Sequence, residues 1–265
     1  MIFVLVLALI FAGGSIMPLS PVFAGDEIIY ISPEKEKRIG ESIAGQIDKE
    51  YEPAEDPLAR KRFEDLGKKL ACVCERNNFV YHFKLLRAKK GEPEEKYYNA
   101  FALPGGYVYM FEPLFNLLGT DDRIAAVTAH ELGHINARHA SKRIQGTLGA
   151  NALMLLAMAV SGDSRTAAEA SEAITQLMMA YSREDEFEAD RYSVKYMKKA
   201  GFNPGGVVES LCALKKMRKN GPVMKYMYYR THPYLSERIA AARSEVKGYT
   251  DFQSYINLSD EKTGL

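Results

Sequence analysis

The order of hydrophobic and polar positions along the chain is mostly that of α-helices. Ser32, Asp56 and Asn203 are each followed by proline, which is the pattern of a capping residue before the first helical position. The pattern as a whole predicts helices near residues 33–50, 57–76, 112–118, 121–141, 148–160, 166–200, 204–219 and 234–246. Most of the chain is therefore expected to be helical.

Strand patterns occur only in the middle of the chain. The segments 79–87, 98–104 and 106–112 are rich in aromatic and β-branched residues, and a Pro-Gly-Gly sequence predicts a turn between the last two. A small sheet in a mostly helical chain is an α+β arrangement. Because no linker rich in proline, glycine or serine interrupts the sequence, we expect one domain over residues 25–250 and a tail at 251–265.

Two apolar runs stand apart from this pattern. Residues 2–12, IFVLVLALIFA, are too few for a comfortable membrane span, and Val22 and Ala24 suit the small-residue rule of signal peptidase. We expect residues 1–24 to be a signal peptide and the chain to be exported to the periplasm; an uncleaved membrane anchor is the alternative. The run at 151–160 is short enough to favour a core helix, or a flap over a cleft, over a membrane span.

Composition and charge restrict the partners. The chain is 47% hydrophobic and 26% charged with a net charge of +1, so it has the make-up of a globular protein. It lacks the basic excess of a nucleic-acid-binding domain, and we expect no nucleic-acid partner. Cys72, Cys74 and Cys212 are an odd number; buried free thiols are the favoured interpretation, and a disulfide from Cys212 to one of the others stays open.

The strongest chemical motif is His-Glu-Leu-Gly-His, which begins at His130. Residues four apart on a helix lie about 40° apart around its axis, so His130 and His134 face the same way and Glu131 lies beside that face. Zinc proteases use this arrangement, in which two imidazoles hold the metal and the glutamate acts as general base. Thr120 is expected to cap the helix. On the same wheel His139 points about 180° away from His130, so we expect it to be structural.

The stretch YSREDEFEADRY, residues 181–192, offers a third ligand. Catalytic zinc needs three protein ligands, and on a helical wheel Glu186 and Asp190 share an apolar-edged face that should be buried. Buried carboxylates need compensation, which a metal would supply. We expect Glu186 to ligate the metal and Asp190 to accept the outer N–H of a ligand histidine.

Two of the other acids of this stretch are expected to lie on a solvated face. Glu184 and Glu188 fall on the opposite side of the helix, which is solvated, and Asp185 lies on its flank. The alternative for Glu186 is a plain buried salt bridge, for example with Arg183.

Together these motifs resemble the gluzincin family of HtpX, BepA and the CAAX prenyl proteases. In this chain, as in the family, His-Glu-Leu-Gly-His is followed by S-R-x-x-E-x-x-A-D. Two further segments are similar to family segments: NAFALPGGYVYMF (99–111) and THPYLSERI (231–239). The resemblance implies a zincin-like (minigluzincin) domain with a small β-sheet beside the active-site helix and one Zn²⁺ per chain. It is nearest to an exported BepA-like catalytic domain without the repeat region.

The resemblance also implies roles for individual residues. It agrees with the assignment of Glu186 as third ligand. His232 corresponds to a histidine over the metal that steadies the oxyanion or plugs the open site, and we place it with Glu131 as catalytic. Asn99 and Arg238 correspond to residues that hold the substrate backbone.

These patterns predict a zinc-dependent endopeptidase. The resemblance implies quality control of the cell envelope, with unfolded or misfolded polypeptides as substrates and peripheral contact with the membrane or with envelope proteins. Two alternatives remain. One is a zinc-binding, chaperone-like module, against which the intact Glu131 argues; the other is a latent protease, closed by His232 or by a flap at 148–165.

Overall fold

A computed structural model of the chain describes residues 31–144, 181–220 and 228–248. The helices and strands are α1 (Pro33–Glu50), α2 (Pro57–Ala71), β1 (His82–Leu86), a 3-10 helix (Glu94–Tyr97), β2 (Ala100–Leu103), β3 (Tyr107–Phe111), α3 (Glu112–Leu118), α4 (Asp121–Asn136), α5 (His139–Arg143), α6 (Arg183–Lys199), α7 (Gly205–Asn220), α8 (Tyr228–Thr231) and α9 (Leu235–Lys247). The predicted α+β architecture is confirmed. No helix within these ranges has both the length and the apolar character that a membrane span requires. The predicted signal peptide, the apolar run at 151–160 and the C-terminal tail lie outside the described residues.

Side-chain caps determine where the first helices begin. The Ser32 hydroxyl accepts the backbone N–H of Lys35 at 3.2 Å, and the Asp56 carboxylate accepts that of Leu58 at 2.8 Å. Each cap satisfies a backbone donor that the helix itself leaves without a partner. The third predicted cap, Asn203, accepts from the backbone N–H two residues later at 2.9 Å.

The three strands form one sheet in the order β1–β3–β2. The central strand β3 runs parallel to β1 and antiparallel to β2. The turn between β2 and β3 depends on Gly106, whose φ is 101° and where a Cβ would lie 2.7 Å from the carbonyl oxygen of Val80. Because β3 is central, β2 lies at an edge of the sheet among the described strands, and it packs beside α4.

Helix α4 lies at the centre of the domain. It packs against α2, α6, α7 and β2, and its residues from Ile124 to Ile135 are all buried. A helix that is buried on every side is a core helix rather than a surface helix with one apolar stripe. The candidate chemistry of this helix thus lies inside the core, whose other members include Phe63, Leu114, Val194, Met197 and Leu211.

Two predicted helices are wrong in their extent. The helix predicted over 121–141 ends at Asn136, because Arg138 adopts the left-handed conformation with φ of 61° and interrupts it before α5. The helix predicted over 166–200 is not continuous, because Ser182 caps a new helix that begins at Arg183. The Ser182 side chain accepts the N–H of Asp185, and the Asp185 carboxylate accepts that of Ser182, which is a capping box.

Helix α2 is also shorter than predicted. It ends at Ala71, so Cys72 and Cys74 follow the helix instead of lying on it. All three cysteines of the chain are free thiols, as favoured from the sequence. Their expected burial is wrong for Cys72, which is exposed, and Cys74 and Cys212 are half-buried.

Candidate metal centre

Helix α4 brings two histidines and a glutamate into the core. Thr120 caps the helix by accepting the backbone N–H of Arg123 at 3.4 Å. One turn of helix separates His130 from His134, and their Nε2 atoms lie 3.0 Å apart. Both histidines and Glu131 are no more than 2% exposed. Buried polar side chains require partners, so the groups that contact these three residues show what kind of site they form.

Helix α6 and the segment after α8 complete the group. Glu186 is fully buried, with Oε2 at 3.5 Å from His130 Nε2 and Oε1 at 3.6 Å from His134 Nε2. His232 places its Nδ1 at 3.3 Å from His130 Nε2 and at 3.0 Å from Glu186 Oε1. One donor atom from each of these four residues lies within 4.8 Å of every other, which is the spacing of a metal site.

The donor set fits zinc. Two ligands at ordinary zinc bond lengths in a tetrahedron are about 3.3 Å apart, close to the separations of 3.0, 3.5 and 3.6 Å among His130, His134 and Glu186. Imidazole and carboxylate are ligands that zinc takes in catalytic sites. Both carboxylate oxygens of Glu131 are buried without a hydrogen-bond partner in the described part of the chain. A carboxylate with free lone pairs beside a ligand cluster can accept a proton, as a general base must.

Asp190 and Arg238 lie behind the ligands. Asp190 Oδ1 is 2.9 Å from His130 Nδ1, so the outer N–H of that ring donates to a carboxylate. The Arg238 guanidinium donates to both Asp190 oxygens at 2.8 Å and lies 2.5 Å from Glu186 Oε2. Arg238 is 1% exposed, whereas the resemblance implies a residue that holds substrate. Its contacts are those of an internal counter-charge for the two carboxylates.

The salt bridge considered between Glu186 and Arg183 does not form. Arg183 instead pairs with Glu237 at 2.6 Å on the surface. The cation that does meet Glu186 is Arg238, from a helix far along the chain. Glu186 thus has a cation and three histidines around it.

These contacts shift the pKa values of the site residues in different directions. Burial alone would raise the pKa of Glu186, but Arg238 and His232 hold it well below its usual range. Burial and Arg238 both disfavour the charged form of His130, yet its hydrogen bonds to Asp190 and Glu186 raise its pKa to about 9. Burial and the neighbouring His130 push the pKa of His134 well below its usual value. Burial and His130 thus favour the uncharged form of His134, which is the form of imidazole that binds a metal.

The placement of His139 is a correction to the sequence analysis. The helical wheel put it on the far side of α4, but the helix ends before it, and His139 Nδ1 lies 2.8 Å from His134 Nδ1. Its Nε2 lies 3.2 Å from Asp185 and 3.3 Å from Glu188. Glu188 is thus not only part of a solvated face. The wheel could not show this, because it assumes one uninterrupted helix.

Two aromatic rings that no motif indicated pack on the site. Tyr181 stacks on His134, with ring centroids 3.8 Å apart and planes at 19°. Tyr228 stacks on His232 at 4.2 Å and 23°. The only sequence signal near Tyr181 is that it directly precedes Ser182, the cap of α6. No sequence signal indicated that Tyr228 would contact the site.

A cleft leads along β2 to His232. Its walls include Ala102, Pro104, Thr231 and Asn99. Asn99 is 4% exposed, and its side-chain oxygen lies 3.5 Å from the Thr231 hydroxyl, which donates to it. Of the residues expected to hold substrate, Asn99 therefore lines this cleft, and Arg238 lies behind the ligands instead.

The fold and the site together define a gluzincin-type metallopeptidase domain, with a His-Glu-x-x-His helix and a glutamate from a second helix. The sequence model of peptidase family M48 matches residues 58–246, and the chain belongs to this family. The recognition of the family from its motifs is confirmed.

Relatives of this family occur in bacteria and in mitochondria. The chain is 26% identical over 226 residues to the beta-barrel assembly-enhancing protease of Escherichia coli, covering 81% of this chain and 44% of the relative. It is 30% identical over 260 residues to the mitochondrial metalloendopeptidase OMA1 of Saccharomyces cerevisiae, covering 88% and 71%. It is 29% identical over 151 residues to the metalloprotease LoiP of Escherichia coli, covering 56% and 58%. The chain thus spans less than half the length of the first of these relatives.

Proposed function

We propose that this chain is a zinc-dependent endopeptidase that hydrolyses peptide bonds in unfolded or misassembled proteins of the cell envelope. The observation that carries the activity is the meeting of His130, His134 and Glu186 beside the orphaned carboxylate of Glu131. A module that bound metal only for structure would have no need to bury there a carboxylate whose oxygens accept no hydrogen bond, because that burial costs free energy.

Each residue of the site has a separate task in this proposal. Zinc, when bound, would polarise the scissile carbonyl and lower the pKa of a water molecule towards about 7. Glu131 accepts the proton of the attacking water and passes it to the leaving amine. His232, whose Nε2 lies 3.5 Å from Glu131 Oε1, is placed to donate to the oxyanion. A single donor of this kind typically contributes about 2.7–4 kcal/mol.

The substrate is proposed to bind in an extended conformation along β2. This strand is at the edge of the described sheet, and the cleft beside it ends at His232. Main-chain hydrogen bonds to an edge strand recognise a polypeptide with little dependence on its sequence. Such recognition suits unfolded substrates.

A latent protease is the second candidate, and the position of His232 favours it. His232 Nδ1 lies 3.0 Å from Glu186 and 3.3 Å from His130, so it occupies a position among the ligands. The side chain is also buried, at 1% exposure. In this candidate His232 would act as a fourth ligand and would have to move before substrate could bind.

Export and the role in the envelope rest on other observations. The apolar run at 2–12 followed by Val22 and Ala24 supports a signal peptide, and the name of one Escherichia coli relative refers to β-barrel assembly. Cell fractionation and mass spectrometry of the purified chain test this part. A mature N-terminus at Gly25 in the periplasmic fraction supports it, and an intact N-terminus in the membrane fraction favours the anchor.

The activity is tested by incubating the purified chain with unfolded casein, with and without a zinc chelator. Fragments that vanish with chelator and return with added zinc support the proposal. A Glu131→Gln chain prepared in parallel controls for contaminating proteases. The proposal is overturned if the wild-type chain binds zinc but yields no more fragments than this control.

A further inference from the structure

His134 is connected to the surface of the domain through His139. The Nδ1 atoms of the two rings are 2.8 Å apart, and the side chain of His139 is fully buried. On its far side His139 Nε2 lies 3.2 Å from Asp185 Oδ1 and 3.3 Å from Glu188 Oε2. A line of hydrogen bonds therefore runs from a candidate metal ligand to two carboxylates near the start of α6.

Only one arrangement of ring protons on neutral His134 and His139 satisfies every hydrogen-bonding group in this line. If the Nδ1–H of His134 donates to His139 Nδ1, then the proton of the neutral His139 is on Nε2, where it donates to the carboxylates. The opposite order would turn the Nε2 lone pair of His139 towards two acceptors. It would also place a proton on His134 Nε2, the atom 3.0 Å from His130 Nε2. The two carboxylates therefore select the tautomer.

We infer that His139 is a positioning residue for the metal centre. It accepts the N–H of His134 and, held by Asp185 and Glu188, keeps the unprotonated Nε2 of His134 turned towards the ligand group. This inference rests on the proposed zinc site. For His130, Asp190 accepts the outer N–H directly. For His134, which lies farther from the acids of α6, the ring of His139 stands between the ligand and the carboxylates. Helix α6 thus supplies the carboxylates behind both histidines.

The backbone is arranged to make this contact. Arg138 has φ of 61°, an unfavourable conformation for a residue with a side chain, and it stands directly before His139. Its guanidinium donates to Glu36 at 3.0 Å, and Glu36 is 1% exposed and also accepts from Arg76 at 2.7 and 3.0 Å. A strained turn that is held by a buried ion pair is typical of a functional position.

The test measures zinc affinity of the full chain by competition with a chromophoric chelator. His139→Leu and His139→Asn are a matched pair, because they have nearly the same shape and only asparagine can accept the N–H of His134. We expect His139→Leu to lower zinc affinity about 10–100-fold and His139→Asn to lose clearly less. The absorption spectrum of the cobalt-substituted chain should shift for the leucine variant, since the ligand ring is no longer held.

A surface variant keeps the test decisive if the leucine variant does not fold. Asp185→Ala combined with Glu188→Ala removes both acceptors of His139 without touching the core, and it should also lower zinc affinity. Glu184→Ala, an exposed acid of the same helix, is the control and should bind as wild type. Wild-type affinity in folded His139→Leu, or in the double variant, overturns the inference. A wild-type chain that binds no zinc overturns the proposed function as well, so the two failures are distinguishable.

Discussion

Gly133 and Ala189 are in backbone contact where α4 crosses α6: a Cβ on Gly133 would lie 2.9 Å from the carbonyl oxygen of Ala189 and 3.0 Å from its Cα. Gly133 precedes the candidate ligand His134, and Ala189 precedes Asp190. The missing side chain therefore lets the two helices that carry the candidate ligands approach closely. The glycine inside the histidine motif is a packing requirement of the metal centre.

Gly133→Ala should accordingly force the two helices apart. Overpacking of this kind typically costs about 1–3 kcal/mol in the free energy of unfolding, and zinc affinity should fall because Glu186 moves away from the histidines. Denaturant unfolding and chelator competition measure the two effects. Gly45→Ala in α1 is the control, since nothing lies within 4 Å of its added Cβ, and it should stabilise by about 0.5–1 kcal/mol. Equal behaviour of the two variants would contradict the close crossing.

Glu131→Gln should separate metal binding from hydrolysis. The amide cannot accept a proton from water, while all the proposed ligands remain, so zinc content should stay near wild type and peptide cleavage should be lost. Elemental analysis and a peptide assay on the same sample give both quantities. A variant with full zinc and wild-type activity would remove Glu131 from its role as general base.

His232→Phe should distinguish the two candidate states. If the histidine donates to the oxyanion, kcat falls while the affinity for an uncleavable peptide changes little. If the latent candidate is right, the variant removes a ligand that blocks the site, and basal activity rises. Steady-state kinetics and peptide binding decide between them, and an unchanged rate would exclude both roles.

The acids of α6 should differ sharply although they are neighbours. Glu186→Ala should lose zinc and activity, because only the histidine ligands remain. Asp190→Asn keeps the shape but weakens the acceptor of His130, at a typical cost of about 10–100-fold in affinity or activity. Glu184→Ala removes the same charge from an exposed position and should change stability by no more than about 0.5 kcal/mol. Loss of zinc in the Glu184 variant but not in the Glu186 variant would refute the third ligand.

Arg238→Met should destabilise the chain strongly. Arg238 is buried and is the counter-charge of Asp190 and Glu186, and removing one partner of a buried pair costs about 3–5 kcal/mol. Arg243→Met, on the exposed side of the same helix, is the matched control and should have little effect. If Arg238 instead acted mainly on substrate, the variant would keep wild-type stability and change only KM.

Much of the site could be predicted from the sequence because helical periodicity is local. The spacing of four residues places His130 beside His134, and Glu186 beside Asp190, however the helices pack in the folded chain. The caps and the Pro-Gly-Gly turn are likewise local, and they account for the fold class and most helix starts. The extent of α4 was predicted wrongly because Arg138 takes a left-handed conformation that its side chain does not favour.

The tertiary structure decided which faces meet. The sequence by itself determined that the two histidines share a face and that two acids of α6 share another. That Arg238 would neutralise those acids and that Tyr181 would stack on His134 depended on contacts between segments far apart in the chain. That His139 would turn back onto His134 depended on the turn at Arg138, which a contact with the distant Glu36 holds. Such contacts are selected by the packing of whole helices and by the burial of charge, and the free energy of that packing belongs to no single stretch of sequence.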